Sequence, residues 1–376
     1  MPIKDSSWLP FRMVMMALFV LAIVMSMSVI SCMEKDNRPG VVLYVSADEF
    51  IARQVMAEFE KDTGIRVRFI GDTEAMKTAG LVNRLRAEAD NPQADVFWSS
   101  EIFMTIQLAE EGVFEEHVSE ATKEWPKQFR DGKRHWYGFA ARPRVIVYAP
   151  QRIAQQDIPK SWMNLTWDVF KGRIVMADPR FGTTGGHLAA MKSFWDRKYQ
   201  PGIYTAFLLG LAENEIRLLP GGNAGVVRAV VSGEADIGMT DADDVWAAQA
   251  QGHRVELIYP LHSSDESEIG NGTLLIPNTV ARVRGGPHPE QAHRLIDFLL
   301  SEKVERMLAE SSSHNIPLRP SLADAYPEYG VNDPLRINYV RVAHLRDQAL
   351  EEALRFLMNI SVETEADAPG EGSDAP

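Results

Sequence analysis

The sequence predicts an α/β protein of two lobes, each built around a mainly parallel sheet. Its 376 residues exceed what one compact core usually holds. Strand-like apolar runs alternate with amphipathic helical segments, which is the pattern of parallel sheets with right-handed crossovers. Two long strand-like stretches, at 136–148 and 270–280, interrupt this alternation and predict a two-strand hinge between the lobes.

The predicted first lobe opens with alternating strands and helices. Residues 41–45 form a continuous apolar run, typical of a strand buried on both faces of its sheet. Residues 48–61 carry apolar side chains at helical spacing, and residues 65–70 alternate as a strand does. The series continues with a helix at 80–89, a strand at 94–98 and a helix at 102–111.

A second α/β series follows the long strand at 136–148. We expect its strands at 173–177, 215–219, 236–239 and 255–259, and its helices at 186–194, 203–211, 225–233 and 245–251. Helices at 289–301, 304–310 and 345–358 follow the return crossing. The expected order is a signal peptide at 1–31, a tether at 32–40, lobe 1 at 41–140, lobe 2 at 141–272, a return to lobe 1 with C-terminal helices at 273–358, and a disordered acidic tail at 359–376.

The N-terminal segment has the organisation of a secretory signal peptide. Arg12 precedes an apolar run at 13–30, and Ser31 and Cys32 follow at its end. Cys32 directly follows a small residue, an arrangement that resembles the lipobox of bacterial lipoproteins, in which the new N-terminal cysteine is acylated. The alternative is an uncleaved transmembrane anchor, because the run approaches spanning length. Both interpretations predict an exported domain, on the periplasmic or cell-surface side, tethered to a membrane.

The composition argues against several functional classes. The net charge of −13 repels phosphate backbones, and no basic stripe with interleaved aromatics stands out, so we expect no nucleic-acid partner. A single cysteine allows no internal disulfide, no CxxC redox pair and no cysteine-based zinc cluster. The nine histidines show no HExxH spacing, and no GxSxG motif indicates a hydrolase. An enzyme built on a two-lobed scaffold is kept as the alternative of another class.

Polar residues gather directly after the predicted strands of both lobes. Ligands of open parallel sheets bind outside the carboxyl ends of the strands, so these residues are candidates for one cleft between the lobes. The candidate ligand-binding residues are Ser46, Ala47, Asp48, Asp72, Thr73, Glu74, Glu101, Arg142, Thr183, Thr184, Gly185, Gly186, Asn223, Thr240, Asp241, Asp243 and Asp244.

Two of these segments have two interpretations each. Residues 183–186 read Thr-Thr-Gly-Gly before a helix, which suits a phosphate or carboxylate at the helix N-terminus but is also an ordinary start of a helix. Asp241, Asp243 and Asp244 suit a hard metal ion or an ammonium group, and they equally suit the capping of the next helix.

Arg142 and Arg144 flank a proline at the connection between the lobes. One of them pairs with an acidic ligand or a carboxylate, or both are solvated charges at the hinge. The sequence pattern leaves these alternatives open.

Four segments, taken in order, resemble the substrate-binding proteins of bacterial iron(III)-type ABC importers. They are residues 43–101, beginning LYVSADEF, then GFAARPRVIVYAP at 138–150, GRIVMADPRFGTTGGHLAAM at 172–191 and SGEADIGMTDADD at 232–244. The resemblance extends from about residue 41 to about residue 320. It implies a periplasmic-binding-protein fold of class II, whose two lobes close on a ligand and dock on a membrane permease served by an ATPase.

The resemblance also assigns expected roles to particular positions. Residues 183–186 and Asn223 match positions that hold an anion in ferric-binding relatives, and 46–48 and 72–74 match first-lobe loops that supply ligands. Ferric-binding members place adjacent tyrosines where this chain has residues 240–244, and no tyrosine lies nearby in the sequence. The aspartates would then hold a metal differently or face the amine of a zwitterion, and the anion loop would hold a phosphate or phosphonate.

The sequence therefore predicts the extracytoplasmic solute-binding component of an ABC import system. By resemblance its ligand is ferric iron with an anion, gripped between the lobes by clamp closure. The alternative ligand is a phosphorylated or phosphonate organic solute without iron, and a tethered sensor or scavenger is the alternative role. No cofactor is expected, since ferric iron would be cargo.

Overall fold

The computed structural model describes residues 39–72, 78–199, 201–322 and 324–358. The expected signal peptide, Cys32, the candidates Thr73 and Glu74, and the expected acidic tail lie outside the described residues. Among the helices of the described ranges, none is both long enough and apolar enough to span a membrane.

Strands and helices alternate along these ranges as the hydrophobic pattern predicts. The strands are β1 (Gly40–Val45), β2 (Arg66–Gly71), β3 (Val96–Ser99), β4 (Phe114–Glu115), β5 (Trp136–Tyr148), β6 (Ile174–Ala177), β7 (Arg217–Leu219), β8 (Ile237–Asp241), β9 (Glu256–Ile258) and β10 (Leu275–Val283). The helices are α1 (Glu49–Thr63), α2 (Ala79–Ala87), α3 (Phe103–Glu110), α4 (Thr183–Lys198), α5 (Ile203–Glu213), α6 (Gly222–Ser232), α7 (Ala242–Ala250), α8 (Pro289–Leu299), α9 (Glu302–Glu310) and α10 (Tyr339–Leu357). The class is α/β, as predicted.

Two groups of strands share β5. The first lobe is the sheet β2-β1-β3-β10-β5, in which β1 runs parallel to β2 and β3. The second lobe is the sheet β5-β8-β6-β7, with β9 on the other side of β5, and here β6 runs parallel to β7 and β8. The predicted two-lobed α/β arrangement is therefore confirmed, and the crossing strands β5 and β10 pair antiparallel with their neighbours.

The strand β5 passes from one sheet to the other at Pro143. Its residues up to Pro143 pair with β10, and those from Arg144 to Tyr148 pair with β8. The segment before β10 lies beside the same point, since the backbone N–H of Arg144 donates to the carbonyl of Leu274 over 2.8 Å. The two crossing segments thus lie side by side, as the hinge prediction requires.

Strand β1 shows why its sequence is continuously apolar. Val42 and Tyr44 face one hydrophobic cluster, and Val41, Leu43 and Val45 face another on the opposite side of the sheet. Helices cover both faces, so no position along the strand meets water. This double coverage fixes the carboxyl end of β1, and with it the polar residues that follow.

The terminal helix α10 starts earlier than the sequence predicts. It begins at Tyr339, where the Asn338 side chain caps it by accepting from the N–H of Arg341 over 3.1 Å, and not at residue 345. It packs against α4 and α5 of the second lobe and against α3 of the first. The Tyr204 hydroxyl donates to the carbonyl of Ala349 over 2.8 Å.

Gly186 provides a test of the contact between α4 and the first lobe. A Cβ at Gly186 would overlap the ring of Phe103, which belongs to α3. We expect Gly186→Ala to lower the free energy of unfolding by about 1–3 kcal/mol, because the ring must move in a packed core. The matched control is Gly225→Ala in α6, whose Cβ would lie 3.6 Å from the Arg228 guanidinium. This control should be neutral or stabilise by up to about 1 kcal/mol.

Urea unfolding of the two variants measures both values. Equal stabilities for the two alanine variants would contradict the packing argument.

Candidate functional site

A polar cavity lies where the strand ends of the two lobes meet. Its volume is about 510 Å³, open solvent at the mouth included. Asp48 and Ser100 come from the first lobe, and Arg142 comes from the crossing strand β5. The second lobe supplies Ala177, Asp178, Phe181, Gly182, Thr183, Thr184, Leu219, Pro220, Gly222, Asn223, Asp241, Asp243 and Asp244. The cavity therefore joins both sheets, as a binding cleft does.

Arg144 is the buried cation beneath this cavity. Its guanidinium Nη1 donates to Asp241 Oδ1 over 2.8 Å, to Thr183 Oγ1 over 3.0 Å and to Asn223 Oδ1 over 3.1 Å. Its Nε donates to Nδ1 of His187 over 3.2 Å. Arg144 thus links β8 with the first turns of α4 and α6.

Both oxygens of the Asp241 carboxylate are engaged by these neighbours. Besides the Arg144 guanidinium on Oδ1, its Oδ2 accepts from the Thr183 hydroxyl over 2.9 Å and from the Asn223 amide over 2.8 Å. The carboxylate makes no side-chain capping bond to α7, although Asp241 is the residue before that helix. Asp241 therefore positions Thr183 and Asn223 at the cavity floor.

Arg142 carries the positive charge that lines the cavity itself. Its Nη1 donates to Asp243 Oδ2 over 3.3 Å, and its Nη2 donates to the backbone carbonyl of Ser100. Burial lowers the pKa of Arg142, but the carboxylates of Asp243, Asp241, Asp48 and Asp244 outweigh burial and raise it. The solvated interpretation of Arg142 and Arg144 is wrong, because both are buried and both pair with aspartates.

The N-terminus of α4 forms another part of the cavity wall. Gly182, just before the helix, has φ 60° and ψ −146°, a conformation that glycine adopts without strain. Thr184 follows in the first turn, and its buried Oγ1 has no hydrogen-bond partner within the described residues. The first backbone N–H groups of a helix have no partner inside the helix. This corner therefore offers donors to an oxyanion.

The structure brings about half of the predicted site residues into one cavity. Those that line it are Asp48, Arg142, Thr183, Thr184, Asn223, Asp241, Asp243 and Asp244. Carboxylate oxygens of Asp241, Asp243 and Asp244 lie within 4.8 Å of one another, as the metal prediction requires. The bonds of Asp241 nevertheless commit that residue to its neighbours.

Three predicted residues support the cavity from behind. The Ser46 hydroxyl accepts from the N–H of Ser100 over 3.0 Å, so it positions a lining residue. The Thr240 hydroxyl donates to the carbonyl of Asn223 over 3.2 Å in the same way. Ala47 lines a smaller neighbouring cavity that shares Asp48 and Arg142.

Asp72 and Glu101 serve helix starts. Asp72 accepts from the N–H of Leu81 in the first turn of α2 over 3.1 Å. Glu101 accepts from the N–H of Phe103 over 3.0 Å and of Met104 over 2.7 Å at the start of α3. Neither carboxylate lines the cavity in the described part of the chain. An acidic side chain after a strand can accept from the first N–H groups of a helix as well as bind a ligand. The sequence pattern therefore does not distinguish these two residues from those that line the cavity.

Gly185 and Gly186 are helical and do not form an anion-binding loop. The helix α4 begins at Thr183, so both glycines lie in its first turn and are buried. A Cβ at Gly185 would overlap the Pro179 carbonyl, and one at Gly186 would overlap Phe103. Close packing, and not a free loop, explains the glycine pair.

Sequence reasoning missed several lining residues. Ser100, Asp178, Phe181, Gly182, Pro220 and Gly222 line the cavity and follow β3, β6 and β7, and Ala177 and Leu219 line it as the last residues of β6 and β7. Their position after strands was a usable signal. The sequence pattern leaves two interpretations open for Arg144, which organises the floor, because its burial depends on contacts far apart in sequence.

Two sheet-based lobes with a shared polar cavity define a two-lobed solute-binding fold. The chain belongs to the bacterial extracellular solute-binding protein family, whose sequence pattern matches residues 91–341. This membership confirms the predicted class of protein and places the domain outside the cytoplasm.

Individual relatives agree with this assignment. Iron uptake protein A1 of Synechocystis sp. is 26% identical over 296 residues, covering 75% of this chain and 78% of the relative. A Salmonella typhi periplasmic protein named for 2-aminoethylphosphonate binding is 25% identical over 276 residues, covering 72% and 75%. The crystal structure of iron-bound HitA from Pseudomonas aeruginosa matches with a TM-score of 0.71 at 23% identity, covering 84% of this chain and 99% of HitA. That structural match shows the fold alone.

Glu101 yields a pH prediction. Burial raises its pKa to about 7, against the opposing effects of the Arg346 guanidinium and the N–H groups of Met104 and Phe103. The unfolded chain ionises this group near 4.5. A folded pKa above the unfolded one means that stability falls as pH rises through this window and that the loss is complete above pH 7.

Glu101→Gln removes that titration. The quantity to follow is the difference in unfolding free energy between the native protein and the variant. This difference should fall by on the order of 3 kcal/mol between about pH 4.5 and pH 7. Urea unfolding across the pH range measures it, with the exposed Glu290→Gln as the control that should show no such trend. A pH-independent difference for Glu101→Gln would show that Glu101 titrates normally.

Proposed function

We propose that this chain captures a small ligand in the interlobe cavity for an ABC importer, and that the ligand joins a cationic centre to an oxyanion. The ligand bridges the lobes and shifts an open–closed equilibrium by its differential affinity for the closed form. Going from mostly open to mostly closed takes a preference of about 5 kcal/mol. A few charge-assisted hydrogen bonds supply that amount.

One observation carries this proposal: the cavity combines an excess of carboxylates with an oxyanion corner. Asp48, Asp178, Asp241, Asp243 and Asp244 line it, and Arg142 is the one cation among the described lining residues. Asp241 pairs with Arg144, Asp178 with Arg180 and Asp243 with Arg142, and the five carboxylates still outnumber these three arginines. The excess favours a ligand with positive charge. The unpartnered Thr184 hydroxyl at the N-terminus of α4 favours a negative group in the same ligand.

Ferric iron with an anion is the first candidate ligand. Asp243, Asp244 and Asp48 supply the oxygen donors that a hard cation prefers. The anion would then complete the coordination from the α4 corner. The relative named iron uptake protein A1 supports this choice.

A zwitterionic phosphonate is the second candidate, and a specific observation favours it. No tyrosine is among the described residues that line the cavity, so phenolate coordination of iron has no donor there. An ammonium group would bind Asp243 and Asp244, and a phosphonate would bind the α4 corner. The relative named for 2-aminoethylphosphonate binding supports this alternative.

The rest of the role follows the same proposal. Acylation at Cys32 would hold the exported domain at a membrane, beside a permease in the cytoplasmic membrane and its ATPase. The protein would act by binding alone, and would return its ligand chemically unchanged. Recovery of a converted ligand would favour the alternative of an enzyme on this scaffold.

A thermal-shift screen of the purified protein distinguishes the two ligands. The probes are ferric citrate, ferric iron with phosphate, 2-aminoethylphosphonate and a sugar phosphate. A true ligand at about 100 times its dissociation constant stabilises the fold by about 2.7 kcal/mol. Stabilisation only with iron identifies the first candidate, and stabilisation by the phosphonate without metal identifies the second. No stabilisation by any of the four would contradict the proposed ligand class.

Thr184→Val tests the oxyanion corner. The Thr184 hydroxyl has no partner in the described structure, so valine should leave stability nearly unchanged. Affinity for the ligand found in the screen should fall about 10-fold or more, because a hydrogen bond to a charged group is lost. The matched control is Thr205→Val, whose hydroxyl donates to Glu352 and whose side chain is not among the described lining residues. Calorimetric titration measures the ligand affinity of both variants. A wild-type affinity in Thr184→Val would show that the oxyanion of the ligand does not bind at this corner.

A further inference from the structure

Two histidines and an aspartate meet in the first lobe. His117 follows β4, and His293 and Asp297 lie one turn apart on α8. The His117 Nε2 lies 2.9 Å from Asp297 Oδ1, and the His293 Nε2 lies 3.5 Å from Asp297 Oδ2. The two imidazole rings are 4.5 Å apart between centroids. Both histidines thus direct a nitrogen at the same carboxylate.

These separations are close to those that a metal ion imposes on its ligands. Nitrogen and oxygen ligands bind Zn²⁺ tetrahedrally at about 2.0–2.2 Å, which places neighbouring ligand atoms about 3.3–3.6 Å apart. The 3.5 Å separation fits this range, and the 2.9 Å separation has to widen by about 0.5 Å. One donor atom of each residue lies within 4.8 Å of the others before any ion draws them together. We propose that His117, His293 and Asp297 form a second binding site, for a divalent transition-metal ion such as Zn²⁺.

The surroundings hold two of these ligands in place. The Ser119 hydroxyl donates to Asp297 Oδ1 over 2.6 Å, and the Tyr137 hydroxyl donates to the His117 carbonyl over 2.6 Å. Burial raises the pKa of Asp297, but hydrogen bonds from His117 and Ser119 outweigh it and lower the pKa. The hydrogen bonds from Ser119 and Tyr137 therefore fix the Asp297 carboxylate and the His117 backbone at the proposed site.

The site is open on one side. The His117 side chain is 1% exposed, whereas those of His293 and Asp297 are 43% and 32% exposed. Three protein ligands beside solvent leave room for water as a fourth ligand. Imidazole and carboxylate ligands suit a borderline divalent ion such as Zn²⁺. The three residues lie apart from the described lining of that cavity.

The affinity follows from the surroundings of the His117 ring. Its Nδ1 is buried without a hydrogen-bond partner in the described structure. Histidines that bind a metal through one ring nitrogen usually donate the N–H of the other to an acceptor, and the described residues offer none here. Absence of such an acceptor weakens metal sites by about 10–100-fold. We therefore expect a micromolar and not a nanomolar dissociation constant.

Calorimetric titration of the metal-free protein with Zn²⁺ near neutral pH tests the site. We expect one Zn²⁺ bound with micromolar affinity by the native protein. His293→Gln and Asp297→Asn should each weaken this binding by about 10-fold or more. Both replace exposed or half-buried side chains, so both variants should fold.

Two controls separate this site from others. Asp243→Asn alters the acidic cavity, and His344→Gln removes an exposed histidine that pairs with Glu110. Neither should change the Zn²⁺ affinity. The proposal is overturned if the native protein binds no Zn²⁺, or if His293→Gln and Asp297→Asn bind it as tightly as the native protein does. It is also overturned if Asp243→Asn abolishes the binding.

Discussion

The buried ion pair between Arg144 and Asp241 organises the binding cavity. The two residues face each other across β5 and β8, and both are almost fully buried. Burying a pair of charges is costly, and hydrogen bonds to their remaining polar atoms offset part of that cost. Thr183 and Asn223 donate such hydrogen bonds to the aspartate, and in doing so they fix the first turns of α4 and α6 relative to the sheet. The arrangement of the cavity floor therefore follows from the need to offset the cost of burying this ion pair away from water.

The same arginine connects the floor to the hinge. Its backbone lies where β5 leaves the first sheet, and its N–H binds the carbonyl of Leu274 in the second crossing segment. A rotation between the lobes has to be absorbed near this point, while the side chain stays anchored in the second lobe. Arg142, two residues earlier on the same strand, bonds instead to Ser100 of the first lobe and to Asp243 of the second. One strand thus places one cation in the floor and another between the lobes.

The fold was more predictable than the site, for physical reasons. The apolar residues of a strand such as β1 show by themselves that the strand is buried, so the local sequence pattern is sufficient to find it. The local sequence does not show why a glycine is needed at a position. The pattern around Gly186 indicates a flexible loop, but the small size of this residue accommodates Phe103 of the other lobe. Asp72 follows β2 directly and Asp243 lies in the first turn of the helix after β8, yet the first serves a helix start and the second faces the cavity. Tertiary contacts alone separate such cases.

The charge balance of the cavity limits what can bind there. A free phosphate would gain the α4 corner but would meet Asp243 and Asp244, whose negative charge repels it. A bare cation would gain those carboxylates but would make no use of the Thr184 hydroxyl, which has no partner in the described structure. A ligand that carries both charges avoids the repulsion and contacts both parts of the cavity. In the proposed function the acidic wall and the oxyanion corner therefore act as one recognition element, which a ligand long enough to reach both uses fully.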